Sequence, residues 1–173
     1  MPPPGTRVLH RPEIDLRTIL RSCLGRFATG VAVVSLDGDD GPQGLTINSF
    51  TSVSLDPPLV LVSIAQTARS HDQLNGRPFV VNVLGAEQEV IARCFAGGAR
   101  LEIAWEHGEL APRTAGVLAF LECRPWGAYP AGDHTLYLGD VVKFDYRSGD
   151  ALGYLAGRYV PITEPERGLE YLI

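Results

Sequence analysis

Short hydrophobic runs separated by turn residues dominate the chain, and most are rich in β-branched residues or alternate with polar ones. Such runs are typical of β-strands, whereas a helix shows apolar residues three and four positions apart. Turns are expected at 37–42 and, as the last hairpin, at Gly149-Asp150. The pattern predicts strands over residues 31–36, 45–53, 59–65, 79–84, 117–123, 135–146 and 152–155.

Helical spacing is confined to a few segments. Asp15 can cap a helix over 16–24, whose apolar residues share one face. A second helix is predicted over 86–95 and a short helical turn over 70–74, while 98–115 shows little periodicity and is expected to be a loop. Because strands do not alternate regularly with helices, the sequence favours a closed or nearly closed antiparallel sheet over a doubly wound parallel sheet.

Length and composition fit one compact domain. The chain has 173 residues, of which 45% are hydrophobic, so a disordered protein is excluded. Its net charge of −5 argues against a nucleic-acid-binding protein. The proline-rich residues 1–12 predict a flexible arm before a single domain over 13–173. No apolar run approaches the roughly 20 residues of a membrane span, and no signal-peptide core is visible. We therefore expect a cytoplasmic protein with no membrane partner.

Several kinds of catalytic site find no support in the sequence. Cys23, Cys94 and Cys123 are too sparse for a disulfide framework or a zinc site, and they are expected to be buried, reduced thiols. The histidines lack metal-ligand spacing, so no metal is predicted. The sequence also lacks a GxSxG nucleophile elbow, a GxGxxG after a strand and a GxxxxGK[ST] loop. A nucleotide site must therefore be built in another way.

The most unusual stretch is 46–54, where hydroxyl and amide side chains fall on both faces of a predicted strand. This arrangement suits a flat ligand rich in heteroatoms that lies along the strand. The alternative is a solvent-facing edge strand, since Thr and Ser occur readily on exposed sheet edges.

Three further segments could bind or react with a ligand. Residues 67–71 combine Arg69 with hydroxyls and backbone N–H groups at a predicted helix start, which favours an anion, although a charged turn with a Ser cap is the alternative. His134 follows Gly-Asp and could be a general acid or base, a ligand anchor or a strand-edge residue. Arg158-Tyr159 is a cation–aromatic pair or part of a surface tail.

The order of these motifs is more specific than any one of them. The segment 44–58, preceded by 27–31 and followed by 79–84 and 132–134, resembles the flavin reductase family with the FMN-binding split-barrel fold. The resemblance covers roughly residues 15–162 and is strongest to the small reductase components of two-component flavin-dependent monooxygenases. It implies a mainly β protein, a Greek-key antiparallel β-barrel with flanking helices, that forms a homodimer.

The resemblance also implies an activity and a set of site residues. The expected enzyme transfers hydride from NADH or NADPH to FMN or FAD and supplies reduced flavin to a partner monooxygenase. His134 is the catalytic candidate, better viewed as a positioning group than as a proton donor, and faces the nicotinamide together with Arg158 and Tyr159. The residues implied to contact the flavin are Thr29, Thr46, Ile47, Asn48, Ser49, Phe50, Ser52, Ser63, Thr67, Arg69, Ser70 and Phe95.

Two other functions remain open at this point. One is a split-barrel flavoprotein that keeps FMN as a prosthetic group and acts as an oxidase or reductase on another substrate. The other is a flavin-binding module without enzymatic activity. The sequence leaves open the preference for FMN or FAD, the preference for NADH or NADPH, and the identity of the partner monooxygenase.

Overall fold

The structure of the protein is a computed structural model that describes residues 15–165. The arm predicted for residues 1–12 lies outside this range. In the described chain, helix α1 (Leu16–Leu24) begins where Asp15 caps it, with the carboxylate accepting the N–H of Arg17 at 3.1 Å. Helix α2 (Glu89–Phe95) follows a 3₁₀ turn at Ala86–Gln88. No helix of this range is long and apolar enough to cross a membrane.

The strands account for most of the regular structure between residues 15 and 165. In chain order they are β1 (Thr29–Gly30), β2 (Ala32–Gly38), β3 (Gly41–Ile47), β4 (Thr51–Leu55), β5 (Pro58–Ala65), β6 (Phe79–Val83), β7 (Trp105–Glu106), β8 (Arg113–Thr114), β9 (Ala119–Ala131), β10 (His134–Tyr146), β11 (Ala151–Leu155) and β12 (Arg158–Ile162).

A seven-stranded sheet forms the body of the molecule, in the order β3-β2-β6-β9-β10-β5-β4. A three-stranded sheet, β1-β11-β12, and a two-stranded one, β7-β8, cover parts of it. Each pair of neighbouring strands is antiparallel. The expected mainly β, antiparallel fold is therefore confirmed.

One predicted strand is wrong in a way that matters for function. The sequence indicates a continuous strand over 45–53, but β3 ends at Ile47, β4 begins at Thr51, and the two strands form opposite edges of the large sheet. The alternation of side chains continues through the connection at 48–50, which contains neither Gly nor Pro. Nothing local therefore marks the place where the chain changes edges.

Strand β2 shows why an unbroken apolar run predicts a fully buried strand. Ala32, Val34 and Leu36 face the barrel interior, and Val31 and Val33 pack on the outer side against α2 and the small sheet. A strand covered on both faces needs apolar side chains at every position rather than at alternate ones.

The segment 98–115, expected to be a loop, contains the short hairpin of β7 and β8. It is held to the outer face of the large sheet by three buried polar side chains, Ser35, Asn82 and Glu122. Each bonds a backbone group of residues 110–114. Since these bonds join residues distant in sequence, hydrophobic periodicity gives no sign of them.

Three other boundaries differ from expectation. The sequence predicts that strand β9 ends at residue 123, but it continues to Ala131, paired with β10 throughout. Gly149-Asp150 does not form a hairpin, because β10 and β11 belong to different sheets and the last hairpin joins β11 to β12. The helical turn expected at 70–74 is a 3₁₀ turn over Asp72–Leu74.

The prediction of three buried thiols is correct only for Cys123. Cys23 is exposed on α1, and Cys94 is partly exposed on α2. Burial, with smaller contributions from the carboxylates of Asp140 and Glu122, raises the pKa of Cys123 to about 12. The apolar sequence around Cys23 therefore belongs to a helix face that residues 15–165 leave exposed.

Candidate active site

The barrel closes at residues 48–50, in the middle of the polar segment that the sequence singles out. The connection from Ile47 to Thr51 can span at most about 14 Å, so the two edges of the large sheet must approach each other here. The Ser49 hydroxyl donates to the carbonyl of Ser63 at 2.8 Å and accepts the N–H of Ser63 at 3.2 Å. A side chain of the connection is therefore bonded to β5, the strand next to the edge strand β4.

Several side chains of this segment already have protein partners. Thr46 donates its hydroxyl to a carbonyl of α2 at 2.7 Å, Ile47 is buried in the barrel core, and Phe50 packs against that core. By contrast, Asn48 and Ser52 are exposed and make no side-chain hydrogen bond within residues 15–165. Asn48 and Ser52, like the exposed Thr51, are therefore free to contact a ligand, as are open backbone groups of the segment.

The backbone at the closure point offers open hydrogen-bond donors. The N–H groups of residues 48–50 donate to no acceptor in the described chain. The hydroxyl of Thr29 is buried and likewise lacks a hydrogen-bond partner among the described residues. Polar groups left open in this way usually have a partner outside the chain, either water or a ligand. The edge of an isoalloxazine ring carries carbonyl oxygens and ring nitrogens, so the N–H donors of residues 48–50 fit a flavin.

A second set of open donors lies at the end of β5, in residues 66–71, which we call the anion turn. The N–H groups of residues 67, 69 and 70 donate to no acceptor in the part of the chain that the structure describes. Thr67 and Arg69 are exposed, and no described carboxylate lies within salt-bridge distance of Arg69. Ser70 is buried and donates to the side chain of Gln43 at 3.2 Å. Because the helical part is a single 3₁₀ turn, the positive charge of Arg69 and the open N–H groups, rather than a helix dipole, would attract an anion.

His134 is the first residue of β10 and lies beside the anion turn. Its neighbour across the strand pair is Ala65, the last residue of β5. Its Nδ1 lies 2.6 Å from a carboxylate oxygen of Asp133. A carboxylate accepts but does not donate, so Nδ1 carries the proton of this bond and Nε2 remains open to a ligand. The bond to His134 also lowers the pKa of Asp133 below its ordinary value.

Phe95 lies at the other end of the polar segment, on α2. Its ring rests directly on Gly44, where a Cβ atom would come within 2.6 Å of the ring. Trp105 also packs against the Phe95 ring in a tilted arrangement, with the two centroids 5.7 Å apart. Gly44 and Trp105 are not among the residues that the sequence places at the site. A glycine just before the polar segment is the only local signal that could have indicated the close approach.

Arg158 and Tyr159 belong to the small sheet. Tyr159 packs against Tyr154 at 5.4 Å between centroids, and the Arg93 guanidinium lies over its ring at 5.1 Å. Burial raises the pKa of Tyr159, and the neighbouring Tyr154 adds to the shift. Arg158 is exposed. A groove of about 500 Å³ runs between Tyr159, Arg93 and the glycines at 97–98.

The structure thus arranges the predicted residues in two groups. The first group contains residues 48–52, Ser63, the anion turn and His134, and the second contains Thr29, Phe95, Arg158 and Tyr159. No hydrogen bond or ring contact joins the groups directly within residues 15–165. The polar segment connects them, because it bonds α2 through Thr46 and β5 through Ser49.

Known proteins with similar sequences and structures identify the class. The family model described as "Flavin reductase like domain" matches residues 24–163. The chain is 42% identical over 143 residues to the FMN reductase (NADH) SmoA of Agrobacterium fabrum, covering 80% of this chain and 82% of that protein. It is 43% identical over 150 residues to the NADH-dependent FAD reductase of Streptomyces globisporus, covering 81% and 80%. The solved styrene monooxygenase flavin reductase from Pseudomonas putida S12 is 35% identical, with a TM-score of 0.78, over 84% of this chain and 98% of that chain.

The fold and the site together define a flavin-binding split barrel of antiparallel strands. The chain belongs to the flavin reductase family. The predicted family, the split-barrel fold and the flavin reductase class of enzyme are therefore confirmed.

Proposed function

We propose that this enzyme transfers hydride from NADH to free FMN or FAD and releases the reduced flavin to a partner flavin-dependent monooxygenase. The observation that carries the proposal is the juxtaposition of two sets of open N–H donors with His134 at one end of the barrel. The names of the relatives support NADH as the donor and include both FMN and FAD as acceptors.

Within this proposal, the chain's own groups bind and orient the two substrates. The open N–H groups of residues 48–50, with the side chain of Asn48, hold the polar edge of the flavin ring. Ser52 and Ser63 lie along the ribityl chain, and Phe95 packs at the ring's other end. Thr67, Arg69 and the open N–H groups of the anion turn hold the flavin phosphate. Ser70 offers its open backbone N–H to the phosphate, while its hydroxyl bonds Gln43.

The reaction needs little acid–base chemistry from the protein. A bound flavin supplies the acceptor for the hydride. The protein's contribution is therefore to hold the nicotinamide and flavin rings in contact and to exclude competing reactions. His134, with Nδ1 fixed by Asp133, presents Nε2 to the carboxamide of the nicotinamide as a positioning group. Arg158 and Tyr159 complete the nicotinamide side.

A His134→Ala variant tests this assignment, because the KM for NADH and the affinity for flavin should respond differently. Because only a nicotinamide contact is lost, the KM for NADH is expected to rise by about 3- to 10-fold, the loss of one hydrogen bond. The dissociation constant of the flavin, measured by fluorescence quenching, is expected to stay within about twofold. His107→Ala, an exposed histidine of the 98–115 segment, is the matched control. An unchanged KM with weakened flavin binding would contradict the role.

We further propose that the chain forms a homodimer. Leu16, Leu24 and Phe27 on and after α1 are exposed, as are Leu55 on β4 and Phe144 on β10. Exposed apolar side chains close together in the chain, such as those on and after α1, are the kind of surface that an interface covers. Light scattering is expected to give twice the chain mass of 18.7 kDa. A monomer at micromolar concentration would contradict the proposal.

A monooxygenase partner and a cytoplasmic location belong to the same proposal. The partner is supported by the relatives, one of which is named as the flavin reductase of styrene monooxygenase. The location is supported by three free cysteines, which suit a reducing compartment.

A further inference from the structure

The anion turn has few regular backbone hydrogen bonds, yet side chains fix it at several points. Gln66 donates its backbone N–H to the carbonyl of Asp133 at 2.9 Å. Its side-chain amide lies 3.3 Å from the carbonyls of both Gly132 and His134. At the other end of the turn, His71 connects to β10. The turn is therefore attached to the hairpin that carries His134.

His71 makes the attachment through both ring nitrogens. Nδ1 lies 2.7 Å from a carboxylate oxygen of Asp72, and Nε2 lies 2.8 Å from the hydroxyl of Thr135. The backbone carbonyl of His71 accepts the phenol O–H of Tyr137 at 2.9 Å. The Asp72 side chain is 98% exposed and adjacent in sequence, whereas the His71 side chain is 17% exposed and Thr135 is buried. The bond to Thr135 is therefore the one that fixes the turn.

The hydrogen-bond roles follow from the partners. The Asp72 carboxylate only accepts, so Nδ1 of His71 carries a proton. In the tautomer that carries its proton on Nδ1 alone, Nε2 accepts the hydroxyl proton of Thr135. Thr135 is the next residue after His134, so this bond links the anion turn to the strand that positions the nicotinamide anchor.

We propose that His71 is a positioning residue that holds the anion turn in its phosphate-binding shape through Thr135. The inference rests on the proposed function, in which this turn binds the flavin phosphate. A turn that is already ordered loses less conformational freedom when the phosphate binds, so affinity for the phosphate is higher than for a loose turn. Affinity for the ring and ribityl chain does not depend on the bond.

The experiment compares two ligands that differ by the phosphate alone, FMN and riboflavin, by fluorescence titration of the full chain. His71→Gln keeps an amide group near the position of Nε2, whereas His71→Asn keeps one only near Nδ1. Thr135→Val removes the hydroxyl that bonds Nε2 of His71. Ser35→Ala removes a buried hydroxyl that bonds the carbonyl of Pro112, outside the site, and serves as the control.

We expect His71→Asn and Thr135→Val each to reduce the preference for FMN over riboflavin by about 3- to 10-fold, the effect of one lost hydrogen bond. His71→Gln is expected to restore most of that preference, and Ser35→Ala to leave it unchanged. An unchanged preference in His71→Asn, or equal losses for FMN and riboflavin, would overturn the positioning role. If the unmodified protein itself binds riboflavin as tightly as FMN, the phosphate assignment of the proposed function fails, and the inference fails with it.

Discussion

The two hydrogen bonds between Ser49 and Ser63 give the sharpest test of how the chain is held where the barrel closes. Ser49→Ala removes the hydroxyl that donates to the Ser63 carbonyl at 2.8 Å and accepts its N–H at 3.2 Å. Both backbone groups of Ser63 then lose their partner at a half-buried position on β5. The change leaves the backbone conformation and the neighbouring apolar packing intact.

The expected loss of stability follows from these two bonds. Each hydrogen bond contributes about 0.5–1.5 kcal/mol, so the free energy of unfolding is expected to fall by about 2 kcal/mol. For a chain of this size, 1 kcal/mol shifts the midpoint temperature by about 2–4 °C, so Tm is expected to fall by about 4–8 °C.

Thermal melts followed by circular dichroism, with and without FMN, measure the effect. Ser52→Ala, on the adjacent strand, removes an exposed hydroxyl that makes no side-chain hydrogen bond within residues 15–165, and its effect is expected to lie within about 0.5 kcal/mol. Equal Tm values for the two variants without flavin would refute the closure role. A Ser49→Ala variant that loses flavin affinity but keeps its Tm would show that the hydroxyl is mainly a ligand contact.

Other contacts give further predictions. Gly44→Ala places a Cβ atom 2.6 Å from the ring of Phe95, so we expect about 1–3 kcal/mol of destabilisation in urea melts, whereas Gly30→Ala, with open space around it, is the control. Equal free energies of unfolding for the two variants would contradict the close packing of Phe95 on Gly44. A thiol reagent at pH 8 is expected to label the partly exposed Cys94 in the folded protein and Cys123 only after unfolding. The raised pKa means that the folded state favours the protonated Cys123 thiol. The thiol therefore stabilises the folded state fully below pH 9.0, and this stabilisation is lost as the pH rises toward 12. The fall in Tm from pH 9 to 11 should therefore be shallower in Cys123→Ala, and an equal slope would count against the burial of this thiol.

The elements that are predicted well from the sequence are those whose pattern is local. Helix α1 has a cap at Asp15 and one apolar face, and β2 has a continuous apolar run that matches its burial on both sides. The errors arise where distant contacts decide the structure. Residues 48–50, which connect the two edge strands, are bonded to β5 through Ser49, and buried side chains bond the backbone of 98–115.

The candidate site follows the same division. The polar segment, the anion turn and His134 stand out by their residue types alone, and the family resemblance assigns them roles. The hydrogen-bond partners of these residues within the protein cannot be recognised from the sequence. Thr46 and Ser70 carry hydroxyls that the sequence assigns to a ligand but that bond α2 and Gln43. His71 precedes a carboxylate in a charged turn, and only the fold brings it to Thr135.

The measurement that tests the central claim most directly is the rate of NADH oxidation in air as free flavin is added to the purified protein. The proposal treats flavin as a substrate that binds, is reduced and leaves. The rate is therefore expected to be near zero without added flavin and to rise to a plateau over many turnovers as FMN or FAD increases. A rate that does not depend on added flavin would indicate a bound prosthetic group, and the absence of NADH oxidation would indicate a binding module. Either result would contradict the proposed function.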